Sequence, residues 1–303
     1  MTAGSRRSHG SNRRNAVINS STSVYCIIGN PVRHSFSPLM HNKGFETLGV
    51  NSVYTAFEVS DVGKSVEGIR ALGIKGASVT IPHKIAVMEY LDEIEDIAAM
   101  IGSVNTIQNR EGILIGTNTD VYGFYRALSE KTEIANKKIA LIGSGGAARA
   151  IGFGLFYFSR PAKLVIAVRH DDLDAANELR ASLVVHLGIE RGDVEVILLT
   201  DWEKSGGDID IIINSTPLGM NPNTNISPLR KNQIPEGITV MDIVYHPNET
   251  LLIKYAIEKG CRIVYGIDML FYQGVKQFEL WTGLKAPEAE MRSVLTEHLA
   301  KNQ

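Results

Sequence analysis

The sequence is poor in cysteine, has no excess of basic charge and contains no long apolar run, and each absence excludes a class of protein. Its two cysteines, Cys26 and Cys261, stand far apart and in no metal-ligand spacing, so neither a disulfide framework nor a cysteine metal site is indicated. We predict free thiols in a reducing compartment, and therefore a cytoplasmic protein.

Charge and hydropathy exclude two further kinds of partner. The 303 residues include 31 Lys and Arg against 33 Asp and Glu, a net charge of -2, whereas a general nucleic-acid binder needs a basic surface. No run reaches the roughly 18 apolar residues that a membrane-spanning helix requires. We predict no nucleic-acid partner and no membrane partner. No constellation of metal-ligating residues is visible either, so we predict no metal.

The first 23 residues differ from the rest of the chain. They are rich in Ser, Arg and Asn, contain no acidic residue, and have no apolar segment after their basic residues. A secretory signal needs that apolar segment, so we exclude one. We predict a disordered extension over residues 1–23. An organelle transit peptide stays open as the alternative, because the segment is acid-poor and holds four arginines, namely Arg6, Arg7, Arg13 and Arg14.

From residue 24 onward, short apolar runs alternate with longer amphipathic stretches. A chain of this length exceeds what one core usually spans, which favours two domains. The alternation predicts an α/β fold with a mainly parallel sheet covered by helices. The predicted strands are 24–28, 52–57, 77–80, 139–142, 164–168, 209–213 and 238–243. The predicted helices are 38–48, 62–72, 97–100, 121–128, a helix that ends at 156, 269–281 and 288–299.

A glycine-rich loop opens the second unit of the chain. Gly143, Gly145 and Ala148 follow the strand 139–142 and precede a helix, in the form G-x-G-x-x-A. The first glycine allows a tight turn, the second lets backbone N–H groups approach a pyrophosphate, and the small third residue lets helix and strand pack closely. This context predicts a dinucleotide cofactor.

The end of the next strand should contact the adenosine ribose of that cofactor. Asp171, Asp172 and Asp174 outnumber Arg169 there, and acidic side chains accept hydrogen bonds from a free ribose hydroxyl but repel a 2′-phosphate. We therefore predict NAD, with NADP as the alternative, since Arg169 could pair with a phosphate. The acids could also serve only as caps of the helix that begins near Asp172.

Four segments of the first unit carry polar residues at the ends of predicted elements: 29–38, 76–84, 102–106 and 116–120. Ser35 and Ser37 precede a helix that has Pro38 at its start, and hydroxyls beside a helix N-terminus suit a carboxylate. An ordinary N-cap would explain Ser37 but not Ser35. Lys84 alone could be a solvated surface lysine, and Asp120 alone could be a helix cap.

Together these segments resemble the shikimate dehydrogenase family over almost all of residues 25–283. The motifs that carry the resemblance are 30–38, 79–84, 105–106, 118–120, the loop at Gly143, 214–220, 242–247 and 266–273. The resemblance implies two domains with a cleft between them. Residues 24–121 plus 269–303 would form the substrate-binding and catalytic domain, and residues 122–268 the Rossmann-like NAD(P)-binding domain.

The resemblance also implies roles for individual residues. Lys84 and Asp120 would form the catalytic pair, with Lys84 as acid and base. The substrate would be bound by Ser35, Ser37, Thr80, Asn105, Tyr245 and Gln273. The cofactor would be bound by Ser144, Gly145, Gly146, Ala147, Arg169, His170, Asp171, Thr216, Ile243 and Gly266.

The implied reaction is the reversible NAD(P)-dependent reduction of 3-dehydroshikimate to shikimate, on the pathway to chorismate and aromatic amino acids. The triplet 168–170 followed by acids is closer to the NAD-tolerant quinate/shikimate branch, whereas residues 214–220 look like the biosynthetic type, so quinate oxidation stays open. Two alternatives remain, another two-domain dehydrogenase such as a methylenetetrahydrofolate dehydrogenase, and a non-catalytic metabolite sensor. A homodimer is neither indicated nor excluded.

Overall fold

The computed structural model describes residues 18–205 and 208–301. Most of the predicted disordered extension, residues 1–17, lies outside this described part. Residues 19–22 form a turn, and the Thr22 hydroxyl donates to Asn51 Oδ1 at 2.7 Å. The first strand begins directly after this turn, at Ser23.

Twelve strands and ten α-helices lie within the described residues. The strands are β1 Ser23–Gly29, β2 Ser52–Glu58, β3 Gly76–Val79, β4 Glu93–Ile94, β5 Thr106–Arg110, β6 Ile113–Thr117, β7 Lys138–Ile142, β8 Lys163–Val168, β9 Val194–Leu198, β10 Ile211–Asn214, β11 Thr239–Asp242 and β12 Arg262–Tyr265. The helices are α1 Ser37–Leu48, α2 Val62–Ala71, α3 Asp96–Ile101, α4 Asp120–Ser129, α5 Gly146–Phe158, α6 Leu173–Leu187, α7 Trp202–Ser205, α8 Leu251–Glu258, α9 Gly266–Thr282 and α10 Glu288–Lys301.

The first sheet is mixed and has the strand order β2-β1-β3-β5-β6-β4. The pairings of β1 with β2 and β3, and of β4 with β6, are parallel, whereas β5 pairs antiparallel with both β3 and β6. The sequence did not predict the β5–β6 hairpin. Its turn uses Glu111 at φ 55° and Gly112 at φ 95°, and a glutamate at positive φ is not one of the usual hairpin signals.

The second sheet is parallel throughout and has the order β12-β11-β10-β7-β8-β9. This is the doubly wound order: β8 and β9 are added on one side of β7, and β10 to β12 on its other side. In such sheets, dinucleotides bind in the crevice at the carboxyl ends of the two strands where the order switches, here β7 and β10. The loops at that crevice are the glycine-rich loop after β7 and residues 215–216 after β10. The predicted α/β fold with a Rossmann-like second unit is therefore confirmed.

The two sheets share an apolar core rather than standing apart. One hydrophobic cluster runs from Phe45 and Phe278 beside the first sheet, through Phe124, to Phe153 and Leu141 of the second. Helices α4 and α9 pack along each other, and α9 and α10 both return to α1. The last helices therefore lie against the first sheet, although the chain reaches them only after completing the second.

A half-buried arginine adds a polar contact between the two units. Arg149 of α5 donates from Nε to the backbone oxygen of Ile101 at 2.6 Å, at the C-terminal end of α3. Among the described residues, no helix is long and apolar enough to cross a membrane.

Candidate active site

Backbone hydrogen bonds bring the polar segments of the first unit together. The amide of Val104 donates to the oxygen of Lys84 at 2.8 Å, and the amide of Asn105 donates to Thr117 at 3.1 Å. The amide of Val79 in turn donates to Asn105 at 2.8 Å. The loops that follow β3 and β6 and the one that precedes β5 therefore lie side by side at one edge of the sheet.

Lys84 and Asp120 form an ion pair at this edge. The Lys84 Nζ lies 2.5 Å from Asp120 Oδ2, and Asn105 Nδ2 donates to the other carboxylate oxygen at 2.8 Å. The two side chains are 26% and 13% exposed, so solvent reaches the pair but does not surround it. Lys84 is thus not a solvated surface lysine, and the Asp120 carboxylate bonds to side chains of other segments rather than capping α4.

Thr119 connects this pair to the predicted substrate residue on α9. Its hydroxyl lies 3.1 Å from Asn105 Nδ2 and donates to Gln273 Oε1 at 3.4 Å. The structure therefore joins Lys84, Asp120, Asn105 and Gln273 in one hydrogen-bonded polar cluster. Sequence reasoning assigned no role to Thr119, although it lies inside the polar segment 116–120 that drew attention to Asp120.

The two predicted serines lie around the start of α1. Ser37 is the first residue of the helix and is buried, and its amide donates to Ser35 Oγ at 3.2 Å. The N-cap is Phe36, which has no side-chain cap bond, so Ser37 is not the ordinary N-cap that was considered. The ring of Phe36 lies 5.6 Å from the ring of Tyr245, which places the loop after β11 beside the serines.

Thr80 stands next to this serine loop. Its amide donates to Ile28 at 3.0 Å, and a Cβ added to Gly29 would lie 2.3 Å from Thr80 Cγ2. The absence of a side chain at Gly29 therefore lets the ends of β1 and β3 approach each other. The next residue, Ile81, accepts from the amide of Asn30 at 2.9 Å, so the start of the serine segment runs beside the loop after β3.

The glycine-rich loop has the shape that a pyrophosphate requires. Gly143 has φ 110°, and a Cβ there would lie 2.8 Å from Ser215 Oγ, so glycine is needed at this turn. A Cβ on Gly145 or Gly146 would meet no atom within 4 Å, so their backbone is open to a ligand. Helix α5 begins at Gly146 without a side-chain cap, and its positive N-terminus faces this open side. The residues present therefore fit a dinucleotide.

The predicted ribose site is exposed and mixed in charge. Arg169 Nε donates to Asp172 Oδ2 at 2.9 Å, so this acid pairs with the arginine instead of capping α6. The side chains of His170 and Asp171 are 86% and 92% exposed. Ser144 Oγ lies 3.4 Å from the Asp172 backbone oxygen, which joins the glycine-rich loop to this segment.

The loops predicted to contact the nicotinamide are held by a buried acid. Asp242 accepts from Asn214 Nδ2 at 3.0 Å, from the Val244 amide at 3.1 Å and from the Thr250 hydroxyl at 2.6 Å. Burial raises the pKa of Asp242 to about 6, although these three donors oppose the shift. The Asn214 side chain also accepts from Thr216 Oγ1 at 2.7 Å, so Asp242 and Asn214 together position the loop that contains Thr216.

The backbone at the start of α9 lies close to the backbone of the loop after β11, on the side predicted to contact the nicotinamide. A Cβ on Gly266 would lie 2.4 Å from the oxygen of Ile243, so only glycine allows α9 to begin against the loop after β11. The predicted cofactor residues thus fall into two groups, one around Gly143, Thr216, Ile243 and Gly266, and one at the exposed ribose end.

A parallel sheet with a glycine-rich crevice, facing a second sheet that carries a lysine–aspartate pair, defines a two-domain NAD(P)-dependent dehydrogenase. Comparison with known proteins narrows this class. The substrate binding domain of shikimate dehydrogenase matches residues 27–107, and the C-terminal domain of shikimate 5′-dehydrogenase matches residues 266–296. The chain belongs to the shikimate dehydrogenase family.

Individual relatives agree over nearly the whole chain. A shikimate dehydrogenase (NADP(+)) from Bacillus mycoides (strain KBAB4) is 44% identical over 266 residues, which are 86% of this chain and 92% of the relative. A crystal structure of a shikimate dehydrogenase in complex with NADP+ has 39% identity and a TM-score of 0.87, covering 93% of this chain and 98% of the other. Shikimate 5-dehydrogenase from Listeria monocytogenes, in complex with shikimate and NAD, has 34% identity and a TM-score of 0.84, with 92% and 98% covered.

Proposed function

We propose that this protein catalyses the reversible, NAD(P)-dependent reduction of 3-dehydroshikimate to shikimate, on the pathway to chorismate and aromatic amino acids. The observation that carries the proposal is the Lys84–Asp120 ion pair of 2.5 Å, held by Asn105 at the edge of the first sheet. A metabolite sensor has no need for such a pair, and family membership does not favour a methylenetetrahydrofolate dehydrogenase.

The substrate is small and anionic, so hydrogen bonds must supply its selectivity. Ser35 and Ser37 bind its carboxylate, because their hydroxyls stand at the positive end of α1. Thr80, Asn105 and Gln273 bind its ring hydroxyls. Tyr245 reaches the same place from the loop after β11, where its ring contacts Phe36.

The Lys84 ammonium acts as the acid when the ketone is reduced. When bound, NAD(P)H would supply a hydride to the ketone carbon, and negative charge would then develop on the ketone oxygen. Lys84 donates its proton to that oxygen, and the alcohol is complete. Asp120 orients the ammonium before the transfer. In the oxidising direction, neutral Lys84 takes the proton back.

A bound dinucleotide would be held by residues of the second unit. Backbone groups of Ser144, Gly145, Gly146 and Ala147 would hold the pyrophosphate. Thr216, Ile243 and Gly266 would line the nicotinamide side, and Arg169, His170 and Asp171 would contact the adenosine end. The domains follow from this division, with residues 24–121 and 269–303 binding substrate and residues 122–268 binding the dinucleotide.

We propose NAD rather than NADP as the preferred cofactor. The charge of Arg169 is already matched by Asp172, and Asp171 stands exposed beside them, so the local field is unfavourable to a 2′-phosphate. The Bacillus relative is named for NADP(+), whereas the Listeria structure holds NAD. Cofactor choice within the family therefore has to be measured for this chain.

Initial rates in four combinations test the proposal, with shikimate or quinate as substrate and NAD+ or NADP+ as cofactor. We expect turnover of shikimate, at a higher kcat/KM with NAD+ than with NADP+. The variant Lys84→Met, assayed in parallel, provides the background rate. Binding of shikimate with no turnover in any combination would favour the metabolite sensor, and faster turnover of quinate would assign the protein to the quinate branch.

A further inference from the structure

A continuous chain of side-chain hydrogen bonds runs beneath the proposed active site. The Tyr54 hydroxyl donates to Ser78 Oγ at 2.6 Å, and Ser78 Oγ donates to Gln277 Oε1 at 2.9 Å. Gln277 Nε2 then donates to Thr106 Oγ1 at 2.9 Å. These residues come from β2, β3, α9 and β5, so the chain crosses the first sheet and joins it to the helix that packs on it.

The same chain continues into the ion pair. Thr106 Oγ1 donates to Asn105 Oδ1 at 2.7 Å, and Asn105 Nδ2 donates to Asp120 Oδ1 at 2.8 Å. Lys84 holds the other carboxylate oxygen at 2.5 Å. In every bond from Tyr54 to Asp120, the donor is the residue nearer to Tyr54 along this chain of bonds. Asn105 must therefore present its oxygen to Thr106 and its nitrogen to Asp120, because the opposite orientation would set two oxygens against each other.

Because these residues are buried, reversing the donor direction of the chain would be costly. All six residues of the chain from Tyr54 to Asp120 are buried, with at most 9% of each residue exposed. An unpaired polar group costs most where water cannot replace the lost partner, and hydrogen bonds in such a place are strongest when all are made. Burial raises the pKa of Tyr54 well above its usual range, so its hydroxyl stays a donor at the start of the chain.

The two glutamines of α9, Gln273 and Gln277, bond to different groups. Gln273 bonds to Thr119 beside the substrate loops, whereas Gln277, one helical turn further on, bonds to Ser78 and Thr106 below them. Sequence reasoning assigned a role to Gln273 and none to Gln277. Gln277 bonds to neither Lys84 nor Asp120. It reaches Asn105 through Thr106 at 2.9 Å and by a bond from its Nε2 to the Asn105 backbone oxygen at 3.4 Å.

We infer that Gln277 and Thr106 are positioning residues, which fix the Asn105 amide so that its nitrogen faces Asp120 and thereby hold the Lys84–Asp120 pair in place. This inference rests on the proposed function. It predicts that breaking the chain at either residue lowers the rate of the chemical step and leaves cofactor binding intact.

Kinetics of matched variants test the inference. Gln277→Met and Thr106→Val keep the side-chain volumes but remove the bonds. Each should lower kcat about tenfold, with the KM of the dinucleotide changed by less than about twofold. The double variant should lose little more than the worse single variant, because both break the same chain. Thr106→Ser restores the hydroxyl and should restore kcat.

Gln108→Met is the matched control. Gln108 of β5 is a buried glutamine like Gln277. Its Nε2 has no hydrogen-bond partner among the described residues, and its Oε1 accepts from Arg110 Nη2 at 3.1 Å. This variant should keep the wild-type kcat. An equal loss of kcat in Gln108→Met, or losses that add in the double variant, would overturn the inference, because the effect would then be general destabilisation.

A measurement without turnover separates this inference from the proposed function. The side-chain amide resonances of Asn105, identified in ¹⁵N–¹H spectra with the variant Asn105→Asp, should shift in Gln277→Met and stay in place in Gln108→Met. If the wild type turned over none of the four substrate and cofactor combinations, the proposed function would fail while a shifted resonance still supported the positioning of Asn105. Unchanged resonances, or wild-type kcat in folded Gln277→Met, would overturn the inference.

Discussion

The substrate side and the ribose side of the crevice are built in opposite ways. Lys84, Asp120 and Asn105 are joined by hydrogen bonds of 2.5 and 2.8 Å and are mostly buried. His170 and Asp171, in contrast, extend into solvent with 86% and 92% of their side chains exposed. One region is held by a network of hydrogen bonds, and the other presents its side chains to solvent.

The difference follows from what each region must do. Proton transfer, the role proposed for Lys84 and Asp120, requires donor and acceptor at a set distance, and a buried network of hydrogen bonds can hold them there. A pyrophosphate can be held by backbone N–H groups and a helix N-terminus, and these are supplied by the fold at Gly145 and Gly146 without any side chain. Substitutions should therefore change the rate on one side and the cofactor preference on the other.

The largest effect is expected at Lys84. Replacing it in Lys84→Met removes the proposed proton donor, and kcat should fall about 10³-fold, within the range that general acid catalysis contributes. The KM of the dinucleotide should stay close to the wild-type value. The control is Lys64→Met, which removes an exposed lysine of α2 that is 83% exposed. A wild-type kcat in Lys84→Met would refute the assignment of the acid and base.

Acid should weaken the substrate side through His41. Burial, partly offset by the Gln277 side chain, lowers the pKa of His41 to about 3. The unfolded chain then binds more protons than the folded protein between about pH 6.5 and pH 3, so stability is complete above pH 6.5 and is lost as the pH falls. At pH 4, the titration of His41 should lower the free energy of unfolding by about 3.5 kcal/mol relative to pH 7. Denaturant unfolding at a series of pH values from 7 to 4 measures this loss. In His41→Phe, the free energy of unfolding should depend less on pH.

The nucleotide side should respond to pH in the opposite direction. The pKa of Asp242 is raised to about 6, so the folded protein binds the extra proton. Stability from this group is complete below about pH 4 and is lost as the pH rises through 6, by about 3 kcal/mol. The difference in unfolding free energy between wild type and Asp242→Asn should therefore change with pH over that window. A difference independent of pH would contradict the raised pKa.

The smallest effect is expected at the ribose site. Asp171→Ser removes an exposed negative charge and should raise the ratio of kcat/KM for NADP+ over that for NAD+ about tenfold, which corresponds to about 1.4 kcal/mol. Asp174→Ser removes an equal charge from the first turn of α6 and should change the ratio less. Equal changes in both variants would mean that overall charge, rather than contact with the ribose, sets the preference.

Much of the fold could be predicted from local patterns. The strand over residues 139–142 and the glycine-rich loop were identified because strand, turn and helix follow one another within a short stretch. The hairpin of β5 and β6 could not be identified, because Gln108 and Asn109 interrupt its apolar pattern and Glu111 occupies its turn. Strand β12 and helix α8 were missed as well, since the apolar runs there are short.

The sequence by itself determined the α/β class, the glycine-rich loop and which segments carry polar residues, because each of these depends on neighbours along the chain. Only the tertiary structure decided which of those residues meet. Lys84 and Asp120 are 36 positions apart, and Gln277 and Thr106 are 171 apart. Such contacts depend on the order of strands in a sheet and on where α9 returns, and neither the periodicity of a strand nor that of a helix contains this information.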